Sequence, residues 1–83
     1  MSSPNIVILH GGLSSEREVS LASGEAVAKA LASYFEVELY DIKKYALPPF
    51  LRSMQSIVFP ALHGSFGEDG QLQSLLQAEG IHY

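Results

Sequence analysis

The residues able to do chemistry in this chain gather in two glycine-rich loops. One runs Gly11-Gly12-Leu13-Ser14-Ser15-Glu16, and the other His63-Gly64-Ser65-Phe66-Gly67-Glu68-Asp69-Gly70. The first leads into a predicted helix, whose free N–H groups and positive dipole end attract anions. A phosphate is a poor match for it: Glu16 puts a negative charge at the helix start, and neither G-x-G-x-x-G nor G-x-x-x-x-G-K-[ST] is present. A carboxylate beside N–H donors suits a zwitterion instead. Glu16 can accept an ammonium group while nearby N–H groups or a histidine face a carboxylate, so the expected ligand is an amino acid. On the local sequence alone a plainer role competes, in which Glu16 and Glu18 only favour the helix dipole and Ser15 with Glu18 forms a capping box. That plainer role is kept for Glu18.

The second loop carries the denser signal, since three glycines within eight residues are costly in backbone entropy and mark positive-φ turns or close approach to a ligand. His63, at a strand end, is placed to donate to a substrate carboxylate; taken by itself, a lone histidine is more often satisfied by neighbouring backbone. Glu68 can orient His63 through a carboxylate–imidazole hydrogen bond, favouring the charged ring. Asp69 reads as a helix cap. The spacing of His63, Glu68 and Asp69 matches no standard metal-ligand pattern. Elsewhere, His10 and His82 have no acidic or nucleophilic neighbours in sequence and read as turn or surface residues. Ser14, Ser15 and Ser20 lack a G-x-S-x-G elbow, so none reads as a hydrolase nucleophile.

The elements that must position these loops follow from hydrophobic patterning. Residues 6–9 are a continuous β-branched and Leu run closed by Gly11-Gly12, the pattern of a strand buried on both faces. A helix over about 16–33 follows, with Val19, Ala22, Ala26 and Ala30 at helical spacing and Val27 and Leu31 widening the stripe. Residues 35–42 alternate with period two, which predicts an outer strand with one exposed face. Pro48-Pro49 breaks the stretch 43–52 into a loop and a short helical turn. Residues 57–62 form a second buried run in which Pro60 marks the end of pairing. From Gly70, the residues Leu72, Leu75, Leu76 and Glu79 predict a short helix with Gly80 as its C-cap, and residues 81–83 look like the opening of a fourth strand. Strands alternating with helices indicate an α/β fold, a parallel Rossmann-like sheet with flanking helices and right-handed crossovers. If the strand order is 2-1-3, both glycine loops face the crevice at the carboxyl ends of strands one and three. A chain that stops at an apolar strand with no helix behind it is read as a piece of a longer protein.

Composition sets the remaining bounds. Nearly half of the 83 residues are hydrophobic and 17% are charged, which suits a packed core rather than disorder. A chain this short buries only about 60–65% of its unfolded surface, so its independent stability is expected to be marginal. Five basic residues stand against nine acidic ones, and the only basic cluster is Lys43-Lys44, so nucleic acid is not an expected partner. There is no cysteine, which removes disulfides and thiolate chemistry. The apolar runs are strand-sized and the start, Met-Ser-Ser-Pro-Asn, has no signal-peptide pattern, so a cytoplasmic, membrane-free protein is expected.

The two loops also carry a resemblance. The segment Gly-Gly-Leu-Ser-Ser-Glu-Arg-Glu-Val-Ser-Leu-Ala-Ser-Gly, from Gly11 to Gly24, resembles the first block shared by D-alanine–D-alanine ligases. The segment HGSFGEDGQLQS, from His63 to Ser74, is similar at every fixed position to that family's signature, H-G-x-x-G-E-D-G-x-[apolar]-Q-[small]. The resemblance covers essentially the whole chain, with residues 36–55 the least diagnostic. It implies a pre-ATP-grasp fold and makes residues 1–83 an incomplete N-terminal substrate-binding domain, without the central and C-terminal ATP-grasp domains. The activity implied is ATP-dependent joining of two D-alanines for peptidoglycan synthesis. ATP phosphorylates the carboxylate of the first D-alanine, the amine of the second attacks the acyl phosphate, and magnesium or manganese neutralises the phosphates.

By the same resemblance, Glu16 is the catalytic-site residue that holds the ammonium of the first D-alanine, Val19 lies beside it, and His63 contacts the carboxylate, with Glu68 and Ser15 as supporting residues. ATP and metal are implied for the full-length enzyme and not for these residues, so the 83-residue piece alone is expected to be inactive. The resemblance also implies D-alanine as the bound partner and a homodimer for the full-length enzyme. A ligase using D-lactate or D-serine as second substrate, or a non-catalytic α/β binding module of the same shape, are the alternative readings.

Overall fold

The structure, a computed structural model, describes residues 6–44, 46–48, 51, 56–62 and 70–83. Three strands and two helices alternate along the chain: β1 (Ile6–Gly11), α1 (Arg17–Leu31), β2 (Val37–Ile42), β3 (Ile57–Pro60) and α2 (Gln71–Ala78). The strands form one parallel sheet in the order β2-β1-β3. That is the expected α/β arrangement, with the carboxyl ends of β1 and β3 side by side. The register runs Ile6 to Gly11 against Val37 to Ile42 on one side, and Ile6 to Leu9 against Ile57 to Pro60 on the other.

Alternation along β1 divides the core in two. Val7 and Leu9 join Ile42, Leu51, Val58, Leu62, Leu72 and Leu76 in one buried cluster, with Tyr40, Leu47 and Ile81 packed on it, so α2 together with Leu47 and Leu51 covers this face. Ile8 and His10 point to the other face, where α1 lies over β1 and β2. Burying each of these aliphatic side chains contributes about 1.5–3 kcal/mol, and β1, the central strand, supplies Val7, Ile8 and Leu9.

Several boundaries differ from the sequence reading, for identifiable reasons. Helix α1 begins at Arg17 with Glu16 as its N-cap, and no side chain caps it. Ser15 and Glu18 therefore fall one position off the capping-box geometry, and the box does not form. The buried residues of α1 are Ser20 and Gly24, whereas Val19, Ala22, Ala26 and Ala30 are exposed. The buried face is thus rotated by one residue, about 100°, from the apolar stripe. Small residues, not apolar ones, let this helix approach the sheet. Gly24 lies so close to β1 that an added Cβ would sit 2.4 Å from His10 Nδ1.

His10 is not a surface residue. It is buried at the end of β1, with Nδ1 3.2 Å from the Leu21 carbonyl. In β3 only Val58 is deeply buried, while Ile57 and Phe59 are 55% and 42% exposed; they share a sheet face with Ile8, and α1 does not extend over β3.

Toward the C-terminus some expectations hold and others do not. Helix α2 ends in a Schellman motif: Gly80 takes φ +69°, its N–H donates to the Gln77 carbonyl, and the Ile81 N–H donates to the Leu76 carbonyl at 2.9 Å. Its N-cap position is held by Gly70 at φ +87° rather than by Asp69. The expected fourth strand at 81–83 is not formed, although the Val58 N–H donates to the His82 carbonyl at 2.8 Å on the free edge of β3. Leu51 closes a turn back to the Pro48 carbonyl, as the Pro48-Pro49 break suggests.

Candidate functional site

The end of β1 is shaped by two consecutive glycines at positive φ, Gly11 at +89° and Gly12 at +88°. Side chains rarely adopt this region, so the chain can leave the strand sharply only because both residues lack a Cβ. The Gly12 N–H donates to the Ile42 carbonyl at 2.9 Å, which anchors the turn to β2. From there Ser14 organises the helix start: its Oγ accepts the Glu16 N–H at 3.1 Å and its carbonyl accepts the Arg17 N–H at 3.1 Å. The Glu16 carbonyl in turn accepts the Ser20 N–H. The backbone of Glu16 is fixed on both sides while its side chain stays exposed.

A second set of bonds joins this turn to β3. Ser20 is fully buried; its Oγ donates to the Ala61 carbonyl at 2.6 Å and accepts the Gly11 N–H at 2.9 Å. One hydroxyl thus satisfies a donor at the end of β1 and an acceptor just beyond β3, both of which would be costly to leave unpaired in the interior. The Ala61 N–H donates to the Leu9 carbonyl at 2.8 Å, and a methyl group at Gly12 would lie 3.3 Å from Leu62 Cδ2. The chain therefore reaches Leu62 in contact with the β1–α1 turn.

The electrostatics are set by an ion pair. Arg17, the first residue of α1, grips Asp41 near the end of β2 in a two-pronged arrangement, one guanidinium nitrogen 2.7 Å from Oδ1 and the other 2.5 Å from Oδ2. The first nitrogen also donates to the Gly12 carbonyl at 3.1 Å and the Ile42 carbonyl at 3.3 Å. The Arg17 hydrogen bonds, with its positive charge, hold the Asp41 carboxyl below its ordinary value against partial burial, and Asp41 raises the Arg17 guanidinium in return. Gly11 makes room for the pair, since a Cβ there would collide with Asp41 Oδ1 and Arg17. With the Arg17 charge committed to Asp41, Glu16 and Glu18 are the exposed ionic groups at the head of the helix.

Of the residues singled out from sequence, Glu16 and Ser15 lie in the exposed head of α1, and Val19 follows one turn into the helix, 52% exposed. His63 and Glu68 lie outside the described residues, as does the rest of the second loop up to Asp69. The residues that sequence reasoning missed are Ser20, the Arg17–Asp41 pair and the buried His10 against Gly24. A signal existed only for the small residues: Ser20 and Gly24 are four apart on one helix face, the spacing of a close-packing contact. Arg17 and Asp41 are 24 residues apart, and nothing local links them.

A concavity of about 570 Å³ opens beside the end of β2, lined in part by Tyr40, Lys43, Leu47 and Pro48. Neither Glu16 nor Val19 lines it.

No protein-family model matches the chain. Individual relatives do. The chain is 48% identical to a D-alanine–D-alanine ligase of Wolbachia pipientis subsp. Culex pipiens over 96% of its length, and 47% identical to that of Thermotoga petrophila over 94%. It is 43% identical to that of Geotalea uraniireducens over 100% of its length. Its fold superposes on a crystal structure of D-alanyl-alanine synthetase A from Vibrio cholerae with a TM-score of 0.78 and 29% identity, covering 100% of this chain and 31% of that one. The chain spans about a quarter of the length of the curated relatives it matches.

Proposed function

Because this chain is related over nearly its whole length to the D-alanine–D-alanine ligases, we propose that it is the N-terminal, substrate-binding portion of such an enzyme. The reaction proposed for the complete protein is the ATP-dependent joining of two D-alanines through an acyl phosphate, supplying a dipeptide for peptidoglycan. In this reading Glu16 holds the ammonium of the first D-alanine and Val19 flanks it. His63 meets the carboxylate, with Glu68 orienting the imidazole and Ser15 supporting Glu16. The observation that carries the reading is the meeting of the two segments: the turn bearing Glu16 is bonded through Ser20 to Ala61, two residues before His63. Opposite charges at the two ends of a short cleft are what a zwitterion needs.

The N-terminus of α1 carries Glu16 at its N-cap and Glu18 in its first turn, both of which repel phosphate. We therefore assign the nucleotide, with magnesium or manganese, to the remainder of the enzyme. No described helix is long and apolar enough to cross a membrane. The same family reading implies a cytoplasmic homodimer.

In the full-length enzyme, Glu16→Gln replaces a charge-assisted hydrogen bond by a neutral one. It should weaken the first D-alanine by about 1–3 kcal/mol, or roughly 5- to 150-fold in its KM. Steady-state kinetics identical to wild type would remove Glu16 from the site. His63→Ala should produce a similar loss and change the pH profile of kcat/KM, and an unaltered profile would remove the carboxylate contact.

A further inference from the structure

We propose that Ser20 is a positioning residue for the first substrate site: its buried hydroxyl sets the separation between the turn that presents Glu16 and the strand end that leads to His63. The proposal rests on the reading of Glu16 and His63 given above. Ser20 would act by fixing the backbone segments that carry the ligand-binding side chains.

The geometry supports this role over ordinary core satisfaction in three ways. Ser20 Oγ donates to Ala61, 41 residues further on, and accepts from Gly11, nine residues back, so its two partners lie at the ends of β1 and β3, where the chain enters the proposed site. Each partner precedes a site residue in the chain: Gly11 opens the turn that delivers Glu16 five residues later, and Ala61 precedes His63 by two residues. The contact is also short and enclosed, with the donor 2.6 Å from its acceptor and the side chain wholly inaccessible. A hydroxyl in this position acts as a fixed spacer, and misplacing a binding group by about 1 Å can cost on the order of a hundredfold. Helix propensity offers no reason for a serine in this interior position, where alanine would favour the helix.

The test uses Ser20→Ala and Ser20→Cys in the full-length enzyme, with the KM values of the two D-alanine sites resolved from steady-state kinetics. Assays are run at a temperature where circular dichroism shows each variant folded. Cysteine nearly preserves the volume of serine while weakening both hydrogen bonds, so it keeps the test decisive if the alanine variant does not fold. The expected result is a rise of about tenfold or more in the KM of the first D-alanine, with kcat within about threefold and the second KM unchanged. In the double variant with Glu16→Gln, the losses should be less than multiplicative, because both act on one geometry. A lowered Tm with an unchanged first-site KM would make Ser20 a structural residue only, and fully multiplicative losses would also overturn the proposal. If Glu16→Gln raises the first-site KM and neither Ser20 variant does, positioning fails alone. Should Glu16→Gln itself have no effect, the site reading fails and takes this proposal with it.

Discussion

At the scale of single residues, the contact between Gly24 and His10 reverses a general rule. Alanine in place of glycine inside a helix ordinarily stabilises it by about 0.8–1.0 kcal/mol. Here the new Cβ would meet His10 Nδ1 at 2.4 Å and its Cβ and Cγ at 2.6 Å, so α1 must move away from β1. Gly24→Ala is therefore expected to destabilise by about 1–3 kcal/mol, read as a lower denaturant midpoint. A higher midpoint would mean that the helix sits less tightly on the sheet than described. The Arg17–Asp41 pair makes a prediction about pH. Because Arg17 lowers the Asp41 pKa in the folded state, the pair's stabilisation is present in full above the ordinary carboxylate value of 3.8 and is lost as pH falls through the lower folded value. Asp41→Asn should thus be less stable than wild type at neutral pH, with the gap closing below pH 3.8 in acid titrations of Tm. A gap that persisted unchanged into acid would show that the carboxylate charge is not what matters. Since both side chains are about one-third exposed, salt should narrow the gap as well.

At the scale of elements, α2 separates packing from mere apolarity. Leu75 and Leu76 are neighbours of the same type, yet Leu76 is fully buried in the core cluster and Leu75 is 38% exposed. Leu76→Ala should cost about 2–5 kcal/mol, while Leu75→Ala should cost well under half as much, measured by equilibrium unfolding. Equal costs would contradict the orientation of the helix. This element was readable in advance because its apolar spacing and the terminating Gly80 are local signals, and the Schellman bonds follow from the chain's own geometry. Helix α1 was readable in existence but not in orientation. Its Ala-rich stripe is visible to any periodicity analysis, whereas the face that is buried is chosen by Ser20, which finds partners at Gly11 and Ala61, and by Gly24, which admits His10. Both are small residues that carry little hydrophobic signal.

At the scale of the whole molecule, the two sheet faces are unequally covered. One is closed by α2 with Leu47 and Leu51, while on the other α1 leaves Ile57 and Phe59 of β3 open. Exposed apolar residues on an edge strand are a template for association. The isolated 83-residue chain is accordingly expected to self-associate with rising concentration. Ile57→Thr together with Phe59→Thr, which retain strand preference, should reduce that association in sedimentation experiments with little change in the unfolding midpoint. A wild-type chain that stayed monomeric with a cooperative melt well above room temperature would sink this expectation.

The sequence by itself determined the three strands and two helices, though not the absence of a strand at 81–83, and with them the parallel alternation and the Gly11-Gly12 turn, because hydrophobic period, β-branching and glycine act over a few residues. It also carried the likeness to the ligases, which lies in the order of residue types. The tertiary structure decided what depends on residues distant in the chain: the face α1 buries, the burial of His10, the grip of Arg17 on Asp41 and the joining of both loop entrances by Ser20. Hydrogen bonds and close approach across 24 to 41 residues exist only after the sheet has assembled, so no local pattern could have announced them.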